Sequence, residues 1–178
     1  MRDRSVTSCR KIAFFFTILF LLSQSPSSAA QKLTEATITK VNDGDTVTLL
    51  MNNKKFKTRL IGMDAPEMGQ GSWGKKSREY LRKLLKQSDW RVFVETDADK
   101  QDKYKRLLVY LWLQNGEMLN ERMLLDGYAF RFTMKPNTRY VERFKKAQQT
   151  AREKKRGVWG PDGLKEKPVD YKKAHPRT

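Results

Sequence analysis

The sequence has 178 residues, with 37 Lys and Arg against 20 Asp and Glu, and a net charge of +17; a charge of that size attracts polyanions, nucleic acid first and cell-envelope polymers second. The one cysteine, Cys9, and the one histidine, His175, lie near opposite ends, which excludes a disulfide framework, a zinc cage of His and Cys, and a histidine-based triad. Acid/base chemistry near neutral pH then falls to a carboxylate, a lysine, a tyrosine or a water activated by a metal ion.

In chain order, Arg2, Arg4, Arg10 and Lys11 precede an apolar run over residues 12–22, and Ser28-Ala29-Ala30 offers small residues for cleavage. This is the pattern of a signal peptide over residues 1–30. The apolar run falls well short of the roughly 20 residues that span a bilayer, so the expectation is export, to a periplasm or outside the cell, with no stable membrane insertion after cleavage. Arg2, Arg4, Arg10, Lys11 and Asp3 give the segment +3, so residues 31–178 keep +14.

From Ala36 the pattern alternates, with Ile38 and Val41 before the turn Asp43-Gly44-Asp45-Thr46 and Val47 and Leu49 after it. That predicts two strands joined by an acidic turn. Asn52-Asn53 reads as a hairpin turn into a third strand over residues 56–61, and Pro66, Gly69 and Gly71 mark a loop. Tyr80, Leu81, Leu84 and Leu85 among Lys and Arg predict an amphipathic helix over residues 75–87 with one buried face. A fourth strand follows over residues 91–95, then a polar loop over residues 97–105. Residues 107–113 form an apolar and aromatic fifth strand, closed by Asn115-Gly116.

Residues 119–125 predict a short helix that Gly127 ends in a left-handed conformation. Asn137 reads as the N-cap of a longer helix, with Val141, Phe144, Ala147 and Ala151 at helical spacing and Gly157 past its end; Trp159 is expected to close the core. After Pro161 the composition turns to Lys, Pro and Asp without periodicity, which predicts a flexible basic tail over residues 161–178. Five strands with a helix between the third and fourth predict an α+β, mainly β fold, a five-stranded OB-type barrel with helices packed against it. Residues 31–160 would be its single domain, and the expected state is a monomer.

Three clusters carry candidate chemistry: Asp43-Gly44-Asp45-Thr46, then Arg59 with Asp64-Ala65-Pro66-Glu67, then Asp102-Lys103-Tyr104-Lys105-Arg106. Singly each has a bland explanation, as a common turn, a loop cap or a solvated face. Asp97 and Asp99 hint at an EF-hand, but that loop would carry Gln101 at its fifth position and no glycine at its sixth.

Together with A-T-I-T-K-V before the first cluster, R-L-I-G-M-D-A-P-E, D-K-Y-K-R and a terminal G-V-W, the clusters resemble the staphylococcal nuclease, or thermonuclease, family from about Ala36 to Trp159. The resemblance implies an OB-type barrel with three helices and a calcium-dependent nuclease acting on DNA and RNA, endo- and exonucleolytically, with 3′-phosphate products. It implies Asp45 and Asp64 as carboxylate ligands of Ca2+, Glu67 as the residue orienting the attacking water, and Arg59 and Arg106 as the holders of the scissile phosphate. Those assignments make physical sense. Hard oxygen ligands suit a hard cation, and a planar guanidinium can engage two phosphate oxygens at once.

By the same resemblance Lys103 and Tyr104 touch a terminal phosphate of the bound nucleotide. Asp43 supports the acidic turn. Where the family presents two tyrosines to the nucleotide, this chain has Phe132 and Met134; Phe132 can stack on a base but cannot donate a hydrogen bond. The loop over residues 68–73 is also shorter than in the family. The alternative is a non-catalytic OB-type module that only binds nucleic acid, which the presence of Arg59, Glu67 and Arg106 disfavours.

Overall fold

Strand β1 (Thr34–Val41) crosses the acidic turn into β2 (Thr46–Met51), and Asn52-Asn53 returns the chain into β3 (Lys54–Leu60). Both asparagines are left-handed, with φ of 49° and 60°, the backbone that a tight two-residue hairpin requires and that Asn tolerates best after Gly. The computed structural model describes residues 33–176. The signal peptide expected over residues 1–30 lies outside them.

After β3 come a short β4 (Met63–Asp64), helix α1 (Gly71–Gln87), β5 (Arg91–Glu95) and β6 (Leu107–Leu113). Helix α2 (Leu119–Leu125), β7 (Phe130–Arg131), α3 (Val141–Glu153) and α4 (Pro168–Ala174) complete the order. Five strands close a barrel in the order β1-β2-β3-β6-β5, with β5 pairing back onto β1. All neighbours are antiparallel except β3 and β6. The expected OB-type barrel of an α+β fold is therefore the observed one.

Closure leaves the barrel without an open edge and buries Val47, Leu49, Leu60, Val92 and Leu111 almost completely. Helix α1 adds Leu81, Leu84 and Leu85 to the same core, and α2 and α3 add Met123, Leu124 and Phe144. Each such side chain contributes about 1.5–3 kcal/mol through removal from water. Among the described residues no helix is long and apolar enough to cross a membrane.

Two small features were not legible as elements. Strands β4 and β7 form a separate two-stranded sheet, pairing Met63 with Arg131 and Asp64 with Phe130; runs of two residues carry no periodicity. Between β3 and β4, Gly62 has a φ of +80°, and a Cβ there would overlap the Phe144 ring. The turn that brings Asp64 back to the barrel end is thus open only to glycine.

Several expectations need correction. Helix α1 begins at Gly71 rather than at residue 75. Asn137 does not cap α3, whose N-cap is Tyr140; buried instead, its side chain accepts from the Asp99 N–H (2.8 Å) and donates to the Asp99 carbonyl (3.1 Å). That bridge ties the loop after β5 to the segment before α3. Val158 is the buried residue at the end of the domain, while Trp159 is half-buried, edge-on to Phe130 with the Arg152 guanidinium 4.3 Å from its ring.

The largest correction concerns residues 161–178, expected to be a flexible basic tail. Up to residue 176 the segment is part of the folded structure and carries α4, a fourth helix beyond the three expected. Pro168 opens α4 at its first turn and Lys172 and Lys173 fall in its last, which suits the fixed φ of proline and the helix dipole. Trp73 Nε1 donates to the Asp162 carbonyl (3.1 Å), and Gln70 Nε2 donates to the Glu166 carbonyl (3.0 Å). A seven-residue helix gains little from its own propensity, so contacts of this kind hold it.

Candidate active site

The acidic turn is held by its own first aspartate, since Asp43 Oδ1 accepts the Asp45 N–H at 3.0 Å. Gly44 is required by space: a Cβ there would collide with Ser77 of α1 and with Ala65. Packed in this way, Asp45 is buried, and its carboxylate accepts the Thr46 hydroxyl and the Ala65 N–H, each at 3.0 Å. The chain after β4 is thereby fastened to the turn before β2.

Arg59 lies beside Thr46 at the end of β3, within the barrel ladder. Its buried guanidinium meets two carboxylates, with Nη1 2.5 Å from Asp45 Oδ2 and Nη2 donating to Asp64 Oδ1 at 2.9 Å. One guanidinium thus compensates both carboxylates in the absence of any ion. A buried ion-pair set of this kind contributes little net stability, but loss of one member leaves an uncompensated charge.

Glu67 follows on the loop before α1, its backbone N–H donating to Gln70 Oε1 (2.9 Å) and its carbonyl accepting the Gln70 N–H (2.9 Å). A Cβ on Gly74 would overlap the Glu67 carbonyl, so a glycine in the first turn of α1 lets the helix close on this loop. The partly exposed Glu67 side chain reaches the acidic pair through Lys172. The Lys172 ammonium sits 2.5 Å from Asp64 Oδ1 and 3.1 Å from Glu67 Oε1.

The electrostatics follow from this crowding. Burial pushes the Asp45 carboxyl up, but Arg59, Lys172 and the Ala65 N–H outweigh it and hold Asp45 below the ordinary carboxylate range. At Asp64, burial and the Asp45 charge win against Arg59 and Lys172, and the carboxyl is raised. Burial and the Asp45 charge also raise Asp43, to about 6. Lys172 loses some basicity to burial but gains more from Asp64 and Asp45, so its ammonium is stabilised.

The third cluster forms a loop of its own. Asp102 accepts the Tyr104 and Arg106 N–H groups on Oδ1 (2.9 Å each) and Arg106 Nε on Oδ2 (2.7 Å), with Lys105 left-handed at φ 59°. Burial alone would raise the Asp102 carboxyl; the Arg106 and Tyr104 contacts hold it low. Lys103 and Arg106 flank the Tyr104 ring, at 5.1 and 5.5 Å from its centroid, and Tyr104 is exposed. Arg106 directly precedes β6, whose Leu107 and Leu108 lie beside Thr58 and Arg59.

Asp45, Arg59, Asp64 and Glu67 are thus brought together, and Lys103, Tyr104 and Arg106 form a second group one strand away. Phe132 is exposed just past β7, its N–H donating to the Gly62 carbonyl (3.0 Å) beside β4, whereas Met134 packs against the core. Sequence reasoning missed Lys172, Gln70 and Ser77. Proline followed by Asp170 and two lysines could have signalled α4, but nothing in the sequence points Lys172 at Asp64.

Among the described residues no group of three or more His, Cys, Asp or Glu converges as a metal cage. The donor set still fits a hard cation, because buried Asp45 and Asp64 meet at one cation, Arg59, and Asp64 and Glu67 at another, Lys172. Two carboxylates would leave the remaining positions of such an ion to water and phosphate oxygens.

The chain is similar in sequence to known nucleases. A family model described as staphylococcal nuclease homologue matches residues 57–161, which include Arg59, Asp64, Glu67, Lys103, Tyr104, Arg106 and Phe132. The thermonuclease of Staphylococcus hyicus is 31% identical over 152 residues, 80% of this chain and 88% of that protein. The thermonuclease of Staphylococcus intermedius is 32% identical over 127 residues, 68% of this chain and 74% of the relative. Endonuclease YncB of Bacillus subtilis is 29% identical over 144 residues, covering 77% and 67%.

Proposed function

The chain belongs to the staphylococcal nuclease family and is a hydrolytic nuclease, and from that premise we propose that it cuts DNA and RNA in a calcium-dependent reaction centred on Asp45, Arg59, Asp64 and Glu67. The observation that supports this centre is the convergence of two buried carboxylates on the Arg59 guanidinium, with Glu67 at their edge. The presence of Arg59, Glu67 and Arg106, with relatives named as nucleases, argues against the alternative of a module that only binds nucleic acid.

Asp45 and Asp64 would hold the ion. When bound, it supplies positive charge that offsets the charge on the phosphate and eases loss of a proton from nearby water. Once the ion takes over the two carboxylates, Arg59 would turn its guanidinium to a non-bridging phosphate oxygen. Arg106, held through Nε by Asp102, presents the rest of its guanidinium to the same group. Both gain most as charge builds on those oxygens in the transition state, where positioned donors contribute most to rate.

Glu67 orients the attacking water and accepts its proton. The water oxygen bonds to phosphorus while the bond to the 5′ oxygen breaks, leaving a 3′-phosphate and a 5′-hydroxyl that takes up a proton. Lys103 and Tyr104 bind a terminal phosphate, and Phe132 stacks on a base. The charge of +14 on residues 31–178 supplies sequence-independent affinity that weakens with salt. The proposal extends to an exported monomer.

The test incubates the full chain with single-stranded DNA, duplex DNA and RNA, in calcium, in magnesium and in chelator, and identifies the product ends. Cleavage in calcium with 3′-phosphate ends is expected. No cleavage in calcium, or undiminished cleavage in chelator, would overturn the proposal.

A further inference from the structure

Residues 161–176 run past the loop that carries Glu67 and are fastened to it at several points. Trp73 and Gln70 each donate to a carbonyl of the segment, at Asp162 (3.1 Å) and Glu166 (3.0 Å). A Cβ on Gly69 would overlap the Tyr171 hydroxyl, so Tyr171 sits directly on the loop, and Pro168 is buried. The next residue, Lys172, ends with its ammonium 2.5 Å from Asp64 Oδ1 and 3.1 Å from Glu67 Oε1.

We infer that Lys172 is a tethered counter-cation of the site, competing with a divalent ion for Asp64 while it also pairs with Glu67, so that the C-terminal strap sets the apparent ion affinity. The inference rests on Asp45 and Asp64 being the ligands of that ion. An ion bonded to Asp64 at about 2.3–2.6 Å would lie within a few ångströms of the ammonium. Two cations at that separation repel strongly where the carboxylates are buried. The Lys172 ammonium therefore has to withdraw from Asp64 as the ion enters, whereas Arg59, the other cation on Asp64, is set in β3 and can turn its guanidinium to the phosphate.

The closed strap then lowers the apparent affinity by the fraction of time that it is open. It also keeps Asp64 and Glu67 compensated while no ion is present. Lys173, the neighbouring residue on α4, is exposed. It carries the same formal charge outside the contact and separates a local effect from the overall charge of the protein.

Calcium binding to the full chain is measured by calorimetry without nucleic acid, for the unmodified protein and for Lys172→Gln, Lys173→Gln and Asp64→Asn. Lys172→Gln is expected to bind roughly tenfold tighter, Lys173→Gln within about twofold of the unmodified protein, and Asp64→Asn to lose binding. Unchanged or weaker binding by Lys172→Gln, with Asp64→Asn still defective, would overturn the strap and leave the ion site standing. Normal binding by Asp64→Asn would overturn the ion site itself. Should Lys172→Gln fail to fold, Trp73→Phe, which removes the hydrogen bond to Asp162 and trims the ring contacts with Tyr128 and Lys76, should also tighten binding; no change there would count against the strap.

Discussion

Replacing Arg59 by methionine keeps the aliphatic stem and removes the guanidinium that joins Asp45 and Asp64. Both carboxylates are buried and Arg59 is only 5% exposed, so solvent cannot take over its role. Breaking a buried ion pair by removing one partner costs about 3–5 kcal/mol. Lys172 still serves Asp64 at 2.5 Å, which puts the expected loss toward the lower end of that range. For a domain of this size the loss corresponds to a drop in Tm on the order of 10 °C.

Calcium should reverse much of the deficit, because an ion held by the two carboxylates replaces the missing charge. Calcium stabilises both proteins by mass action, so the gap narrows by about 1.4 kcal/mol for each tenfold by which the variant, freed of the competing guanidinium, binds the ion more tightly. Thermal unfolding of the full chain, with calcium and with chelator, reads both effects. The expected result is a wide gap between Arg59→Met and the unmodified protein in chelator that narrows in calcium. A gap of the same size in both conditions would refute the assignment of these carboxylates to the ion.

Asn120→Ala should lower stability by about 1–3 kcal/mol for each buried group left unpaired, since Asn120 accepts the Leu111 N–H and donates to the Ile61 carbonyl, each at 2.9 Å; the urea midpoint measures it. Asp102→Asn should loosen Arg106 and lower kcat by up to roughly 10²-fold with little change in fold by circular dichroism. In metal-free protein, Asp43 titrates near 6 when folded and 3.8 as a free carboxyl, so the folded state binds the extra proton between those values. Its contribution to stability therefore falls as pH rises from about 4 to about 6. Asp43→Asn should flatten that part of the stability profile, and an unchanged slope would reject the raised value.

The barrel was legible because its strands alternate or are continuously apolar and its turns carry Asn-Asn, Asn-Gly and Gly signals; β5, β6 and α2 fall on their expected residues. The helix start at Gly71 was not, because Gly71 is left-handed at φ +56° and Gln70 makes no capping bond to the helix. Asn137 carried a true N-cap signal, but its side chain satisfies the Asp99 backbone instead. A local propensity lost to a long-range partner.

Within the site, Asp45, Arg59, Asp64 and Glu67 stood out as members of three clusters and took their roles from the family resemblance, and the fold brings them together by pairing Arg59 with Thr46 and Asp64 with Phe130. Lys172 could not be named, because its contact with Asp64 joins residues 108 positions apart. No local pattern encodes a contact of that separation. The same holds for Ser77, whose hydroxyl donates to the Tyr128 carbonyl (2.7 Å) beneath the acidic turn.

The most direct test of the catalytic centre is the single-turnover cleavage rate of Glu67→Gln at saturating calcium and substrate, with nucleic-acid affinity measured in parallel. Glutamine keeps the shape of the side chain but cannot accept the water's proton. The account predicts a rate at least roughly 10²-fold below that of the unmodified protein at nearly unchanged affinity. A rate within a fewfold of the unmodified protein would contradict it.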